Sequence, residues 1–179
     1  MSDGLGDAAS PVANTPEITG AADPDAPVEV AHGEYLVSTD RARIDVAAVH
    51  GFLTRAYWSR GIPEETLRRA IAGSLCFGVY RGPDQVGFAR VITDRATYAY
   101  LSDVFIMDAH RGRGLSKLLM AVITNHPALQ GLRRFSLSTR DAHALYAQFG
   151  FRVAANPERQ MEILRPNIYM PQTEHSSPA

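Results

Sequence analysis

The sequence predicts a mixed α/β fold, a central and mostly antiparallel β-sheet flanked by about four helices. Three observations lead there. Three strand-like runs between residues 74 and 107 are separated only by turn-sized breaks, which makes an antiparallel meander. A glycine-rich turn and an amphipathic helix then separate the last of these strands from a further one, and joining them takes a crossover connection. The composition suits one globular domain, with 179 residues, 45% hydrophobic, 21% charged and a net charge of −1.

That composition excludes collagenous, mucin-like and wholly disordered chains. No run approaches the ~20 apolar residues of a membrane-spanning helix, and the start, MSDGLGDAASPVANTPE, lacks a basic region followed by an apolar one. A soluble, cytoplasmic protein is expected. The single cysteine, Cys76, can form no internal disulfide, in keeping with a reducing compartment.

The elements follow in order. Residues 1–34 carry seven acids (Asp3, Asp7, Glu17, Asp23, Asp25, Glu29, Glu34), no Lys or Arg and no periodicity, and are expected to form a disordered acidic tail. The rest of the chain then holds 12 acids against 18 bases, a balance of +6 that suits an anionic partner. A domain over residues 35–170 begins with a strand at Tyr35–Ser38. Asp45, Val46, Val49, Phe52 and Leu53 recur at helical spacing, and a second helix opens at Pro63, with Glu64 and Glu65 in its first turn and Leu67 and Ile71 facing inward. The meander comprises SLCFGVYR, QVGFARVIT and TYAYLSDVFIM. After it, Leu115, Leu118, Leu119 and Val122 mark one face of a helix, RRFSLST is a strand, AHALYAQF is a short helix, and Gly150 is placed to cap that helix before FRVA. Met161 to Leu164 read as an edge strand, and residues 171–179 as a short second tail.

The sharpest chemical feature is His110-Arg111-Gly112-Arg113-Gly114-Leu115-Ser116-Lys117, between a buried strand and the helix. Two glycines let the backbone turn close to a ligand, the first helical turn leaves N–H groups unpaired, and Arg111, Arg113 and Lys117 (the only lysine) add charge. Together they suit a phosphate or pyrophosphate; the competing reading is a solvated basic turn. The run is neither a Walker loop nor G-x-G-x-x-G, because Lys117 stands at the third glycine position.

Here the chain resembles the GNAT superfamily of acetyl-coenzyme A dependent N-acetyltransferases. Arg111-Gly112-Arg113-Gly114-Leu115-Ser116 is similar to the family's Q/R-x-x-G-x-G/A pyrophosphate motif, with serine in the final small position. VFIMDAHR ends the strand whose backbone, at Val104, Phe105 and Ile106, pairs with the pantetheine arm in the family. LYAQFGF, residues 145–151, is similar to the family's aliphatic-Tyr-x-x-aromatic-Gly-Phe signature. The resemblance covers roughly 130 residues, from Tyr35 to about Leu164. It implies the GNAT sheet, acetyl-coenzyme A as cofactor with coenzyme A as product, and cofactor contacts from Val104, Phe105, Ile106 and the run Arg111, Gly112, Arg113, Gly114, Leu115, Ser116 and Lys117. Thr139 stands where many relatives carry an asparagine that bonds the arm, with Ser138 as its substitute.

In such a site a neutral amine attacks a thioester, an oxyanion develops and a thiolate leaves. A splayed or bulged strand near Val104 to Ile106 would leave N–H groups free to bind the arm and steady the oxyanion. Tyr146 is the candidate acid, since a phenol of pKa ~10 can protonate a thiolate whose free thiol has a pKa of ~8.5; its alternative is an aromatic packing on the sheet. Asp103, inside an apolar run, is the candidate base. It could equally be a structural acceptor for backbone N–H groups or an arginine such as Arg90, with water relaying the proton instead. Tyr57 and Trp58 lie where the family builds its acceptor site, though they could simply fasten helices to the sheet. Asp141 and His143 read as a helix cap, His110 and His126 lack metal-ligand spacing so no metal is expected, and Cys76 reads as a small buried hydrophobe.

The resemblance thus implies acetyl transfer from acetyl-coenzyme A to a primary amine by direct attack in a ternary complex. The acceptor would be a small molecule or peptide, with no nucleic acid or membrane partner, and a homodimer is allowed. A non-catalytic acyl-coenzyme A sensing module is the alternative. A nucleic-acid-binding domain is disfavoured, because the basic residues are scattered and not interleaved with aromatics.

Overall fold

The computed structural model describes residues 26–170. Most of the expected acidic tail, residues 1–25, and all of the expected second tail, residues 171–179, lie outside that range. The tail boundary at 34 needs correction, because β1 (Glu29–His32) pairs antiparallel with β2 (Tyr35–Ser38) in a hairpin that turns through Gly33 and Glu34. Gly33 has φ +58°, which suits glycine at such a tight connection. Four residues with one buried side chain leave too little pattern to see in sequence; pairing with β2 and the Val28 N–H donated to Thr39 Oγ1 at 2.8 Å hold the strand in place.

Asp45 caps α1 (Val46–Leu53) by accepting the Ala48 N–H at 3.0 Å. Pro63 stands one position ahead of α2 (Glu64–Ala72), which closes at Gly73. The meander follows as β3 (Leu75–Arg81), β4 (Asp84–Thr93) and β5 (Tyr98–Ile106), then α3 (Leu115–Thr124), β6 (Arg134–Leu137) and α4 (His143–Ala147). The sheet order is β1-β2-β3-β4-β5-β6, antiparallel throughout except that β6 runs parallel to β5 after the α3 crossover. The expected class is therefore found, a mixed α/β fold with a mostly antiparallel sheet and four α-helices among the described residues.

Each face of the sheet has its own core. On one, α1 and α2 bury Val49, Leu53, Leu67 and Ile71 against Phe88 and Phe105. On the other, Leu115, Leu119, Val122 and Ile123 of α3 pack on Val37, Phe77, Val79 and Val91. Strand alternation accounts for the split, with Phe105 facing α1 while Val104 and Ile106 face α3. Gly87 is fixed by this packing: a Cβ there would come within 2.6 Å of Ile106 Cδ1 and 3.0 Å of the Phe105 carbonyl oxygen.

The expected edge strand at Met161–Leu164 does not form, and no strand follows α4 at FRVA. Every residue from 152 to 168 is exposed. Alternation gives a segment a face that can join a sheet, but it does not supply the neighbour. Among the described residues no helix is long and apolar enough to cross a membrane.

Candidate active site

The site is built where β5 stops behaving as a regular strand. Phe88 lies opposite Phe105 and Arg90 opposite Ser102, so two residues of β5, Asp103 and Val104, face the single residue Ala89. That is a β-bulge, and it sets Asp103 at φ +54°, a region Asp tolerates better than most residues. The outer edge of β5 is paired to β6 only from Tyr98 to Leu101, opposite Arg134 to Leu137. Beyond that point the strands diverge, as the sequence predicts for a splayed or bulged strand. A cavity of about 410 Å³ fills the wedge, with Asp103 and Val104 on one wall, Leu137 and Thr139 on another, and Tyr57, Trp58 and Tyr146 at its sides.

The side chains of Phe105 and Ile106 are committed to the two cores, Phe105 stacking on Phe52 at 3.8 Å between ring centres. Of the three residues to which the resemblance gives the arm, Val104 lines the wedge while Phe105 and Ile106 do not, and the Ile106 carbonyl accepts from Arg111.

At the end of β5 the chain turns into α3. Gly112 has φ +75° and Gly114, the residue that caps α3, has φ +78°. A Cβ at either would meet nothing within 4 Å, so the turn presents bare backbone to open space. No side chain caps the helix, and no acid stands in its first turn. The N–H groups of Leu115, Ser116 and Lys117 therefore begin a ten-residue helix with its positive end uncompensated. Arg111, Arg113 and Lys117 are exposed around them, while Leu115 is buried and anchors the helix. The turn is braced from outside: Arg111 Nε donates to the Ile106 carbonyl at 3.1 Å, and the Tyr35 hydroxyl bonds His110 Nδ1 at 3.1 Å. Glu34 reaches Arg81 at 2.7 Å and Arg113 at 3.9 Å. Sequence reasoning missed Glu34 and Tyr35 as braces, since one was assigned to a tail and the other only to a strand; the hairpin turn at His32-Gly33-Glu34-Tyr35 was the available signal.

Asp103 is 7% exposed. Arg90 Nε donates to its Oδ2 at 2.5 Å and Trp58 Nε1 to its Oδ1 at 3.1 Å. Arg90 also reaches Ser74 and Ser102. With both carboxylate oxygens engaged, the geometry matches the structural alternative for Asp103 rather than a base, and it fastens the loop after α1 to the bulge. Trp58 is accordingly a fastener as well as a pocket wall. Tyr57 is 51% exposed and carries the Arg140 guanidinium 3.9 Å from its ring centre.

Tyr146 sits on α4, half-buried, with the Phe151 ring 6.0 Å away. Burial raises its pKa above the usual 10, helped by Tyr57 and Asp141, so its proton is retained through the neutral range. Gly150, at φ +84°, ends the α4 turn as expected, with the Phe151 N–H bonding the Tyr146 carbonyl at 3.3 Å. At the other end α4 has no side-chain cap, where Asp141 was expected to supply one. Thr139 Oγ1 accepts the Ala142 N–H at 3.0 Å, while Asp141 makes no cap bond and lies 3.9 Å from Arg140. The Thr139 hydroxyl thus has one lone pair engaged and keeps its proton and a second lone pair to offer a ligand. Cys76 is buried and its thiol is pushed up to about 11 by burial, which keeps it un-ionised. Ser138, expected as the substitute for Thr139, also lines the wedge, as do Leu137 and Arg140, whose role is visible only once β6 is known to part from β5.

Comparison with known proteins agrees with this geometry. Residues 45–151 match the model of the acetyltransferase (GNAT) family. A crystal structure of a chain placed in that family, from Xanthomonas campestris pv. campestris, shares 48% identity and a TM-score of 0.76, covering 79% of this chain and 99% of that one. A Gibberella zeae protein bearing an acetyltransferase name is 36% identical over 139 residues, 65% of this chain and 77% of its own. A Clostridium acetobutylicum structure, described as an acetyltransferase with acetyl-CoA, shares the fold at a TM-score of 0.54 and 14% identity, covering 73% of this chain and 94% of that one. With its bulged fifth strand, its bare glycine turn and these relatives, the chain belongs to the GNAT family of acetyltransferases.

Proposed function

We propose that the protein transfers acetyl from acetyl-coenzyme A to the nitrogen of a primary amine by direct attack with both molecules bound, releasing coenzyme A. The observation that carries this is the wedge between β5 and β6, which opens on the bulge at Asp103 and Val104 and has Tyr146 on its side. The residues suit the cofactor: Gly112 and Gly114 leave bare backbone facing open space at the start of α3, and exposed cationic side chains surround it. Acetyl-coenzyme A, when bound, supplies a thioester carbonyl for the amine to attack.

The protein's part divides among named groups. The N–H groups at the start of α3, with Arg111, Arg113 and Lys117, hold the phosphates. Backbone of the bulge in the wedge holds the arm and steadies negative charge developing on oxygen. Tyr146 gives its proton to the departing sulfur and regains one from solvent. Because Asp103 is tied to Arg90 and Trp58, the proton lost by the amine passes to water. Tyr57 and Trp58 form the aromatic side of a cavity sized for a small amine or the end of a peptide.

Gly114→Glu tests the cradle. It places a carboxylate among the phosphate-binding groups and a side chain at φ +78°. We expect the coenzyme A Kd by calorimetry to rise at least ~30-fold, about 2 kcal/mol. Gly114→Ala shares the backbone strain without the charge and should lose less; equal affinity for wild type and Gly114→Glu would refute the cradle. Incubating wild type with acetyl-coenzyme A and an amine panel, and scoring acetylated product by mass, tests the reaction itself.

A further inference from the structure

The wedge carries a charge that the transfer step does not use. Among the residues lining it Arg140 is the one cation, beside two acids, Asp103 and Asp141. Asp103 has Arg90 on one oxygen and Trp58 on the other, so it offers nothing to a second ammonium group on the acceptor. Asp141 is exposed, and Arg140 stands 3.9 Å from it and offsets its charge. Such a wedge does not suit a diamine or polyamine, because each further ammonium would leave water with no carboxylate to meet it.

Arg140 is held in place by an aromatic ring and not by hydrogen bonds. Its guanidinium carbon lies 3.9 Å from the centre of the Tyr57 ring, which joins the loop between β6 and α4 to the loop between α1 and α2 at the edge of the cavity. The 3.9 Å contact with Asp141 is beyond hydrogen-bond reach, and among the described residues the guanidinium donates no hydrogen bond. Its fork of N–H donors is therefore oriented while its bonding capacity is intact. The walls beside it are aromatic, with Tyr57 and Trp58 edge to face at 4.9 Å and Tyr100 on the sheet.

Resting on the amine acetylation proposed above, we infer that the acceptor is an amino acid with a bulky apolar side chain. Arg140 holds its carboxylate, Tyr57, Trp58 and Tyr100 enclose its side chain, and its α-amino group is left to face the thioester. A planar guanidinium takes a carboxylate through two parallel N–H···O bonds, which fixes direction as well as distance. Tyr57 is also a positioning residue, because its ring limits the motion of a long side chain that would otherwise be ordered only on binding. A C–N bond to the α-nitrogen replaces the C–S bond, the proton of the amine goes to water, and Tyr146 supplies the one that the sulfur takes.

The test reads binding before turnover. N-acetyl-L-phenylalanine and N-acetyl-phenethylamine differ only in the carboxylate, and each is titrated by calorimetry into the full chain with coenzyme A present. The first is expected to bind ~10-fold more tightly, the size of effect that hydrogen bonds to a charged group give, and Arg140→Gln to bring the pair level. Arg140→Lys keeps the charge without the fork, and Tyr57→Leu keeps the arginine without its support, so each should narrow the difference without abolishing it. Equal affinity in wild type, no binding of either compound, or a preference that persists in Arg140→Gln overturns the proposal. L-phenylalanine and phenethylamine are then compared as acceptors, where the same preference in kcat/KM supports it and an equal or reversed one overturns it. Transfer to neither amine, with the carboxylate preference kept in binding, would count against the reaction and for the acceptor class.

Discussion

Arg90→Met is expected to destabilise the protein by about 3–5 kcal/mol, because it strands the Asp103 carboxylate in the interior. The two side chains are 15% and 5% exposed, so little water reaches the charge that remains. Trp58 alone would be left to hold a carboxylate at a positive-φ bulge. For a domain of this size the loss corresponds to a fall in Tm of roughly 10 °C. Adding Asp103→Asn to Arg90→Met removes the stranded charge while keeping a residue that tolerates this backbone conformation, so the double variant should recover much of the loss. The same pair decides the role of Asp103. If it is a fastener, Asp103→Asn lowers stability and leaves the acidic limb of the kcat profile in place. A general base would instead cost ~10²–10⁴-fold in kcat and remove that limb.

Tyr146→Phe carries the second large effect, a fall in kcat of ~100-fold with coenzyme A affinity held within a factor of two. The lower end of the usual range for acid catalysis is expected because a thiolate is already a fair leaving group. Phenylalanine keeps the contact with Phe151 and removes only the hydroxyl. The pH dependence gives an independent reading. Since the Tyr146 pKa is raised above 10, chiefly by burial, the wild-type kcat should hold across the neutral range and decline only on the far alkaline side as the phenol ionises. The Phe variant has no such group and should lack that decline. An unchanged kcat would leave Tyr146 as a packing residue.

The parts of this site that were legible in sequence are those fixed by local chemistry. Gly112 and Gly114 stand at positive φ because the turn requires it, and the run of leucines after them can only be a helix seated on a core. The meander was readable from strands joined by short turns, and a splayed or bulged strand near Val104 to Ile106 was expected for a site of the kind the resemblance implies. What sequence did not settle depends on partners distant along the chain. Asp103 could be base or fastener until Arg90, thirteen residues before it, and Trp58, forty-five before it, were found on its two oxygens. Glu29–His32 hid in an acidic, proline-rich stretch because one buried side chain is too weak a pattern. Thr139 rather than Asp141 accepts the Ala142 N–H just ahead of α4, which has no side-chain cap, a choice between neighbouring oxygens that spacing does not make. Met161–Leu164 failed in the opposite way: the strand pattern is present, but the segment forms no strand and its apolar side chains stay exposed.

The central claim is that the glycine turn and the β5–β6 wedge together hold acetyl-coenzyme A. Thermal unfolding of wild type with and without acetyl-coenzyme A tests this most directly, because a ligand at 100 times its Kd adds ~2.7 kcal/mol to stability. The account predicts a rise in Tm of several degrees with acetyl-coenzyme A and a rise with free coenzyme A, both lost in Gly114→Glu. An unchanged Tm at millimolar acetyl-coenzyme A would contradict it.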